Sequence, residues 1–383
     1  MGFLGHLPSP PCFAIDWPAI EDLITELPAL ARCQQDPVYH QEGDVLTHTK
    51  MVADALVADT DFRQLDDKAR QVLFFAAILH DIAKPETHTL AESGRISHPH
   101  HGPRGARRSQ EILWKLGFPF QLRQQVVALV RHHLLPYNWH RKDDIDARVL
   151  SISQEIPCRW LGIIARADIR GRICADQPSL LENIDLFDEF CKEKGCWEEA
   201  YEFPSEYSRY FYLQRSGRSP DYRAHDESQF EVVILSGLPG AGKDSYYQKE
   251  LAGLPMISLD RIREEFRIGP GNETGKIVAE ARERAKRLLR ERQPFVWNAT
   301  NLTRRIRIPL RDLFSRYGAR IRLVYIEAPW QEILKRNAER SMSIPLPALE
   351  KMIRIWEMPR LDEAHRVEYF VPADSKLDRR NTE

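Results

Sequence analysis

The chain has 383 residues, 43% of them hydrophobic and 29% charged, a composition typical of a globular protein with two domains. No apolar run approaches the roughly 20 residues that a helix needs to span a bilayer. The N-terminus lacks the basic region and long apolar stretch of a secretory signal, which favours a cytoplasmic protein. The six cysteines are scattered without a C-x-x-C pair, which predicts reduced thiols that form no ligand-like grouping.

The net charge of -1 is distributed unevenly along the chain. From Gln229 onward there are 29 Lys and Arg against 22 Asp and Glu, whereas the first 228 residues hold 26 against 34. Arginine supplies 22 of those 29 cations, and its planar guanidinium suits bidentate phosphate contacts. The Arg-rich run 279–292 is expected to be a solvated helix face. The positive sign of the second half nevertheless favours a polyanionic substrate.

The first half predicts an all-α domain, which we place at 1–200. From about residue 15 to residue 195, apolar side chains recur at helical spacing and strand signals are scarce. A segment rich in Tyr, Ser, Arg and Pro follows without a sustained period. This composition predicts a connecting segment over 201–228.

Histidine and aspartate occur on three separate predicted helices of this domain. His48 lies on the first, the pair His80-Asp81 ends the second, and Asp168 lies among apolar residues of the third, where an unpaired carboxylate would be costly. A single His-Asp pair is more often a satisfied helix end. The four residues together predict a metal site, and their mixed nitrogen and oxygen donors suit Mn²⁺, Co²⁺, Ni²⁺, Fe²⁺ or Zn²⁺. Lys84 would face the same cavity and could bind a phosphate oxygen.

The ordered set H…HD…D and the segment HDIAKPET resemble the HD phosphohydrolase superfamily from about residue 40 to 175. The resemblance implies four metal ligands, His48, His80, Asp81 and Asp168. It also implies two later histidines that contact phosphate or a second metal. His101 and His133 are the candidates, with their neighbours His100 and His132 left open. In such a site the metal turns a bound water into the nucleophile.

The second half predicts an α/β domain over 229–383 with a parallel sheet covered by helices. Short β-branched apolar runs alternate there with helical segments, as parallel sheets require. The runs are EVVILSG (231–237), PMISLD (255–260), FVWNAT (295–300) and IRLVYIEA (321–328). Because ligands bind beyond the carboxyl ends of parallel strands, the residues that follow these runs are the candidates for a site.

A glycine-rich loop, GLPGAGKDS, follows the first of these strands. Its spacing G-x-x-x-x-G-K between a strand and a helix is that of a Walker A loop, whose backbone amides cradle phosphates. We therefore predict that it binds ATP, or another nucleoside triphosphate, through Gly237, Gly240, Ala241, Gly242, Lys243, Asp244 and Ser245. Asp244 occupies the usual Ser/Thr position and the hydroxyl follows at Ser245. Mg²⁺ is therefore expected on Ser245, or through water on Asp244.

Two further pairs of residues predict where the phosphoryl group is received and stabilised. Asp260 ends the second strand as the expected base for the acceptor hydroxyl, with Arg263 one helical turn away to hold an acceptor phosphate. A helix N-cap is the structural alternative for Asp260. Arg336 and Arg340 share a helix face at the position of a lid over the phosphates, although such exposed pairs are common on ordinary helices.

The segments GLPGAGKDS, SLDRIR, WNATNLTRR, KRNAER and LEKMIRIWEMP resemble the polynucleotide 5′-kinase branch of the P-loop kinases. The resemblance implies that Asp260 is the general base for a 5′-hydroxyl and that Arg263 contacts the phosphate of the acceptor nucleotide. The two lid arginines would contact the donor phosphates. Many relatives carry Asp where this chain has Asn298, which leaves a Walker B role of that strand open.

An HD module followed by a polynucleotide-kinase module resembles the bacterial bifunctional end-healing enzymes of the HD-Pnk type. The resemblance implies that the HD domain removes a 2′,3′-cyclic phosphate or 2′-phosphate from RNA ends. It further implies that the kinase phosphorylates 5′-hydroxyl ends of RNA or DNA with ATP and Mg²⁺. A nucleic-acid ligase would be the functional partner, a membrane would not, and a homo-oligomer is left open.

Two other functions are weighed against this one. The first is a small-metabolite kinase fused to an HD nucleotide phosphohydrolase, which the D-x-x-R motif and the arginine content disfavour. The second is a nucleotide switch with a ligand-sensing HD domain. The full set of metal-binding positions and Lys84 disfavour that function.

Overall fold

The computed structural model describes residues 4–214, 217–269, 273–339 and 343–371, and the chain divides into two compact units, Met1–Glu202 and Phe203–Glu383. The first unit is helical and the second contains a parallel sheet, which confirms the predicted fold class. The segment 201–228 holds a helix, Glu206–Leu213, in the second unit. Among the described residues, no helix combines the length and the apolar character that a membrane crossing requires.

The described part of the first unit contains ten α-helices and one short hairpin. The helices are α1 (Trp17–Leu23), α2 (Val45–Ala58), α3 (Thr60–Gln64), α4 (Asp67–Leu79), α5 (Lys84–Thr87), α6 (His101–Lys115), α7 (Phe120–His132), α8 (Ile145–Ser153), α9 (Cys158–Arg170) and α10 (Gln177–Glu193). Short 3₁₀ turns cover Leu4–His6, Leu27–Arg32 and Trp139–Arg141. The antiparallel hairpin, β1 (Thr89–Leu90) and β2 (Ile96–Ser97), was not expected from the sequence.

Helix α4 forms the centre of the first unit. Its residues from Val72 to Leu79 have no exposed surface, and α2, α7 and α9 pack around it. A helix that is apolar on all sides is stable only inside a protein. The N-terminus of α4 is capped by Asp66, which accepts a hydrogen bond of 2.8 Å from Ala69 N. The C-terminus of α4 therefore delivers the next two residues, His80 and Asp81, into the interior.

The second unit is built on a five-stranded sheet in the order β4-β5-β3-β6-β7, with every pairing parallel. The strands are β3 (Phe230–Ser236), β4 (Met256–Ser258), β5 (Phe295–Asn298), β6 (Ala319–Ile326) and β7 (Arg366–Phe370). The first four were predicted, although β4, β5 and β6 each end two residues earlier than expected. Strand β7 was missed because its residues are only half-buried at the edge of the sheet, which weakens the apolar signal.

The helices of this unit surround the sheet. They are α11 (Glu206–Leu213), α12 (Lys243–Tyr246, continued by a π turn over Tyr247–Leu251), α13 (Leu259–Glu265), α14 (Thr274–Arg290), α15 (Arg304–Ser315), α16 (Trp330–Ala338) and α17 (Leu346–Arg354). Helix α14 includes most of the Arg-rich run and buries Ile277, Ala281, Ala285 and Leu289 on one face. Their spacing of four residues is that of one helix face, so the run is an amphipathic helix.

Candidate metal centre and nucleotide loop

The four predicted metal ligands and two further histidines lie together inside the first unit. None of the six is more than 8% exposed. They form two sets, in each of which the ligand atoms lie within 4.8 Å of one another: His48, His80 and Asp168, and Asp81, His101 and His133. The neighbouring histidines, His100 and His132, belong to neither set.

Asp81 stands between the two sets. Its Oδ2 lies 3.1 Å from His80 Nε2 and 3.7 Å from His48 Nε2, and its Oδ1 lies 3.4 Å from His101 Nε2. His101 Nε2 in turn lies 3.2 Å from His133 Nε2. A carboxylate that directs one oxygen towards each set can contribute to metal binding by both sets.

The imidazole rings of the centre are oriented by oxygen acceptors on their outer side. The Nδ1 atoms of His80, His101 and His133 lie 2.7, 2.7 and 2.8 Å from backbone carbonyl oxygens. When Nδ1 donates to such an oxygen, the lone pair resides on Nε2, which is the usual arrangement of histidines that bind metals. His48 Nδ1 faces the carboxylate of Glu42 at 3.0 Å. In all four rings, therefore, Nδ1 faces the outer oxygen acceptor and Nε2 is left to bind a metal.

The centre contains buried polar atoms that a cation would satisfy. His80 Nε2 and Asp81 Oδ1 are buried without a hydrogen bond, and Asp81 Oδ2 forms an ion pair with Lys84 Nζ at 2.6 Å. Buried polar atoms in proteins are normally satisfied. Imidazole nitrogens and carboxylate oxygens are donors that borderline transition metals accept. The residues present thus fit the divalent metal that the sequence predicts.

The charge of the centre suits a cation. Burial acts to raise the pKa of Asp81, but the charges of His80 and Lys84 outweigh burial and hold that pKa well below its usual range. Burial likewise acts to raise the pKa of Asp168, and the neighbouring Arg172 guanidinium is the first of the groups that hold it low. Both carboxylates are consequently anionic near neutral pH, as metal binding requires.

The histidines of the second set are neutral. Burial lowers the pKa of His133 to about 3, and burial also lowers the pKa of His101. Burial acts in the same direction on His80, but the charges of Asp81 and Asp168 outweigh it and raise the pKa of that ring. A neutral imidazole is the form that binds metal, so a cation and a proton compete for His80.

Several residues of the centre were missed by the sequence prediction. Arg172 donates to both oxygens of Asp168, at 3.1 and 2.7 Å, and to the hydroxyl of Tyr137 at 3.2 Å. The spacing of four residues between Asp168, in the last turn of α9, and Arg172, just after that helix, could have indicated this pair. Glu42 lies in a loop and only the tertiary structure brings it to His48.

Lys84 lies beside Asp81, as the sequence predicts. Its Nζ is 2.6 Å from Asp81 Oδ2 and donates to Gln35 Oε1 at 2.6 Å. The lysine is 5% exposed. A buried ammonium next to the centre can neutralise a phosphate oxygen that approaches the metal ligands.

Glycines allow the helices of the centre to approach closely. A Cβ at Gly171 would lie 2.7 Å from Val52 N, so this glycine brings the end of α9 against α2. A Cβ at Gly102 would lie 3.1 Å from Arg131 O, which brings α6 against α7. These two contacts align the helices that carry the two sets of ligands.

The cysteines depart from the sequence prediction. The Sγ atoms of Cys158, Cys191 and Cys196 lie within 4.8 Å of one another, and all three residues are fully buried. The expectation that no cysteines form a ligand-like grouping is therefore wrong. Cys158 Sγ and Cys196 Sγ are 3.9 Å apart, a van der Waals contact between core thiols. Cys33 similarly lies near His88 and His98.

In the second unit, the predicted Walker A loop connects β3 to α12. Gly237, Gly240 and Gly242 have φ of 152°, 80° and 106°, a backbone conformation that glycine adopts without strain. A Cβ at Gly237 would also lie 2.3 Å from Ile326 O. Lys243 Nζ donates to the carbonyl oxygens of Gly237 and Leu238 at 3.0 and 2.9 Å. The lysine thus lies over the loop that would receive the phosphates.

Other residues of the P-loop contact the end of β5 and helix α16. Asp244 and Ser245 are exposed, and Asp244 Oδ1 accepts a hydrogen bond of 2.8 Å from Asn298 Nδ2 at the end of β5. Arg336, on α16, donates from Nη1 to Gly240 O at 2.9 Å. The predicted lid arginine Arg336 therefore contacts the loop, while Arg340 lies outside the described residues.

The acceptor residues lie on α13. Because β4 ends at Ser258, that serine is the N-cap, and its side chain accepts from Arg261 N. The N-cap alternative for Asp260 is therefore wrong, and Asp260 lies exposed in the first turn of the helix. Arg263 Nη2 donates to Thr274 Oγ1 at 3.1 Å. Asp260 and Arg263 follow the carboxyl end of β4, and the P-loop follows the carboxyl end of β3. Because the strands are parallel, both segments lie at the same end of the sheet.

Curated relatives match only parts of this chain. A Multifunctional CCA protein of Halorhodospira halophila is 36% identical over 117 residues, which cover 30% of this chain and 25% of that protein. A Multifunctional CCA protein of Xylella fastidiosa is 30% identical over 164 residues, 40% of this chain and 36% of that protein. The L-seryl-tRNA(Sec) kinase of Methanococcus maripaludis is 25% identical over 135 residues, 33% and 53% of the two chains. The chain thus spans about a quarter to a half of the length of these relatives.

Two family models match separate segments that coincide with the two sites. A model described as an HD domain matches residues 45–168, and a model described as an AAA domain matches residues 232–359. The first segment contains His48 to Asp168 of the metal centre, and the second contains the nucleotide loop. The chain is therefore an HD domain joined to a P-loop, kinase-like domain.

Proposed function

We propose that this protein repairs broken nucleic-acid ends. Its second unit would phosphorylate 5′-hydroxyl ends of RNA or DNA with ATP. Its first unit would remove a 2′,3′-cyclic phosphate or a 2′-phosphate from RNA ends. The observation that carries the proposal is the presence in one chain of a two-set His/Asp centre and a P-loop followed by the D-x-x-R motif. Together the two activities would prepare both sides of a break for a ligase.

In the kinase reaction, the 5′-hydroxyl oxygen bonds to the γ-phosphorus while the bond to the β,γ-bridging oxygen breaks and ADP leaves. Asp260 is exposed and able to take the hydroxyl proton, with Arg263 one turn away to hold the acceptor phosphate. Lys243 and Arg336 now donate to loop carbonyl oxygens and would turn to the phosphates of ATP. Cations in these positions stabilise the charge of the transferred group.

In the hydrolytic reaction, a water oxygen bonds to the phosphorus of the cyclic phosphate while one ribose oxygen leaves and takes a proton, which opens the ring to a 2′-phosphate. A second water then attacks the phosphorus in the same way, the remaining ribose oxygen leaves with a proton, and inorganic phosphate is released. A divalent cation held by the two sets would polarise the phosphate and supply hydroxide near neutral pH. Asp81 and Asp168 provide the anionic ligands, and Lys84 lies beside Asp81 to neutralise a phosphate oxygen. Arg172 fixes the orientation of Asp168 through two hydrogen bonds.

The proposal that the substrate is a nucleic acid rests on the D-x-x-R motif, the resemblance to polynucleotide kinases and the names of the relatives. One of these relatives is a kinase named for a tRNA. The arginine content supports it less than the sequence suggests, because many arginines of the second unit have carboxylate partners. Arg284 pairs with Glu265 and Glu280, and Arg307 pairs with Glu363 inside the protein. A small-metabolite kinase is the function that the assay below must separate from this one.

The kinase half is tested with labelled ATP, Mg²⁺ and a 5′-hydroxyl oligonucleotide. The parent protein should transfer the γ-phosphoryl group to the 5′ end. Lys243→Ala should slow transfer about 100-fold or more, because a cation at the moving phosphoryl group is lost. Asp260→Ala should slow it by about 10²–10⁴-fold through loss of the base.

Lys249→Ala is the matched control for the kinase assay, because this lysine is exposed and pairs only with its neighbour Glu250 among the described residues. It should transfer phosphate as the parent does. Transfer by the parent to a small metabolite but to no oligonucleotide would refute the polynucleotide acceptor.

The hydrolase half is tested by phosphate release from an RNA oligonucleotide that ends in a 2′,3′-cyclic phosphate, in the presence of Mn²⁺, Co²⁺, Ni²⁺ or Zn²⁺. Asp81→Ala should reduce release to background, because both sets of ligands lose their shared carboxylate. Asp143→Ala, at an exposed position, is the charge-matched control and should keep parental activity. Survival of activity in Asp81→Ala would show that this metal centre is not the hydrolytic site.

A further inference from the structure

We infer that Asp244 supplies the carboxylate that receives the Mg²⁺ of the bound nucleotide, and that Asn298 is a positioning residue that orients it. The two positions would thus have exchanged the residue types of an ordinary Walker A and Walker B pair. The inference deepens the kinase half of the proposed function and rests on it.

The argument begins with the positions of the two residues in the fold. In P-loop enzymes, Mg²⁺ is held by the Ser or Thr after the P-loop lysine and by an Asp on a neighbouring strand. Here Asp244 follows Lys243 directly, and Asn298 ends β5, which pairs with β3 so that Leu235 lies opposite Asn298. The Asp244 carboxylate thus occupies the position of the usual hydroxyl ligand. The Asn298 amide occupies the position of the usual carboxylate ligand.

A hydrogen bond joins the two exchanged residues. Asn298 Nδ2 donates to Asp244 Oδ1 at 2.8 Å and also faces Met256 Sδ at 3.4 Å. The opposite orientation of the amide would set its oxygen against the carboxylate, so the donor must face Asp244. Asn298 is 5% exposed whereas Asp244 is exposed. A buried amide therefore holds a carboxylate that remains accessible to a metal ion.

Electrostatics explain why these two residue types are compatible with each other. An aspartate at position 298 would place a second carboxylate within hydrogen-bond distance of Asp244, and two such anions repel each other. The neutral amide removes this repulsion and preserves a single negative charge at the site. Mg²⁺ is commonly bound by one or two carboxylates together with phosphates and water, so one carboxylate is sufficient.

Ser245 is a less suitable ligand than the sequence suggests. Successive residues of an α-helix point about 100° apart because one turn contains 3.6 residues. Ser245 therefore does not share the direction in which Asp244 meets Asn298. The Ser245 hydroxyl is thus one residue beyond the usual Mg²⁺ ligand position, which directly follows the P-loop lysine.

The test measures how much Mg²⁺ strengthens ATP binding, without any acceptor. Affinity is measured by calorimetry in Mg²⁺ and in EDTA, and Mn²⁺ in the protein–ATP complex is followed by electron paramagnetic resonance. Asp244→Ala should reduce the Mg²⁺ enhancement by about 10–100-fold and leave binding in EDTA at least as strong as in the parent. Asn298→Ala should lose about 10-fold of the enhancement, as is typical when an orienting partner of a ligand is removed.

The double exchange D244S/N298D is the decisive variant. It restores the ordinary pair of residue types and should recover most of the enhancement that Asp244→Ala loses. Asn298→Asp alone should show a reduced Mg²⁺ enhancement of ATP binding, because it places two carboxylates next to each other. Glu250→Ala, which removes an exposed carboxylate shortly after the loop, is the charge-matched control and should keep the full enhancement.

Three results would overturn the inference: a full enhancement in Asp244→Ala, a folded double exchange as defective as Asp244→Ala, or a loss of enhancement in Ser245→Ala alone. Circular dichroism establishes that each variant is folded. Because no polynucleotide is present, a failure to phosphorylate 5′ ends would leave the expected result intact. A parent protein that binds no ATP would instead contradict the kinase half of the proposed function, and this inference with it.

Discussion

Single residues at the metal centre depend on partners outside the ligand set. Glu42 is the clearest case, since its carboxylate lies 3.0 Å from His48 Nδ1 and 2.7 Å from His40 Nδ1, and it accepts 2.9 Å from Ile173 N. Although burial acts to raise the pKa of Glu42, these hydrogen bonds hold it well below its usual range. An anion behind an imidazole makes that ring a stronger ligand.

We therefore expect Glu42→Gln to weaken metal binding by about 10–100-fold, because the amide cannot supply the negative charge behind His48. The measurement is the affinity for Mn²⁺ or Zn²⁺ by titration, together with the metal content of the purified protein. Glu92→Gln, at an exposed hairpin position, is the matched control and should bind metal as the parent does. Equal affinity in Glu42→Gln would contradict a role of the Glu42 charge in metal binding by His48.

At the scale of elements, one arginine joins α15 to the chain on both sides of it. Arg307 donates to the two carboxylate oxygens of Glu363 at 2.7 and 2.9 Å, to Asn301 O at 3.0 Å and to Glu357 O at 2.9 Å. Both side chains of the ion pair are 1% exposed. Asn301 in turn donates to Leu235 O at 2.6 Å, on the strand that leads into the P-loop.

Arg307→Met should lower the free energy of unfolding by about 3–5 kcal/mol, because it removes the closest charged partner of the buried Glu363 carboxylate. The midpoint of denaturant unfolding, followed by tryptophan fluorescence, should fall accordingly. The double variant Arg307→Met/Glu363→Leu should recover part of the loss, since neither charge is then left alone. Arg305→Met, at an exposed position of the same helix, should leave the midpoint unchanged. Equal midpoints for Arg307→Met and Arg305→Met would contradict a structural role of the ion pair.

Elements with a strong local pattern were predicted well. The apolar helices of the first unit and the four buried strands of the second were confirmed, because burial imposes a period of its own on each. The ends of β4, β5 and β6 and the existence of β7 were not predicted correctly. Strand β7 is held by its parallel pairing with β6, a contact between distant segments that leaves only a weak trace in the residues themselves.

At the scale of the whole molecule, each of the two units holds one candidate site within its own described helices or sheet. The metal centre draws on α2, α6 and α9 together with the residues after α4 and α7. The nucleotide site draws on the loop after β3, the end of β5 and α16. Each site is thus assembled from segments that its unit packs side by side.

The sequence by itself determined the class of each unit, the Walker A loop, and the residue types of the metal centre. These follow from spacing along the chain, where a loop or helix end fixes which side chains are neighbours. Only the tertiary structure decided that Asp81 stands between two sets of ligands, that Glu42 backs His48, and that Asn298 holds Asp244. Such contacts join residues from separate helices, loops and strands, and their distances are set by packing.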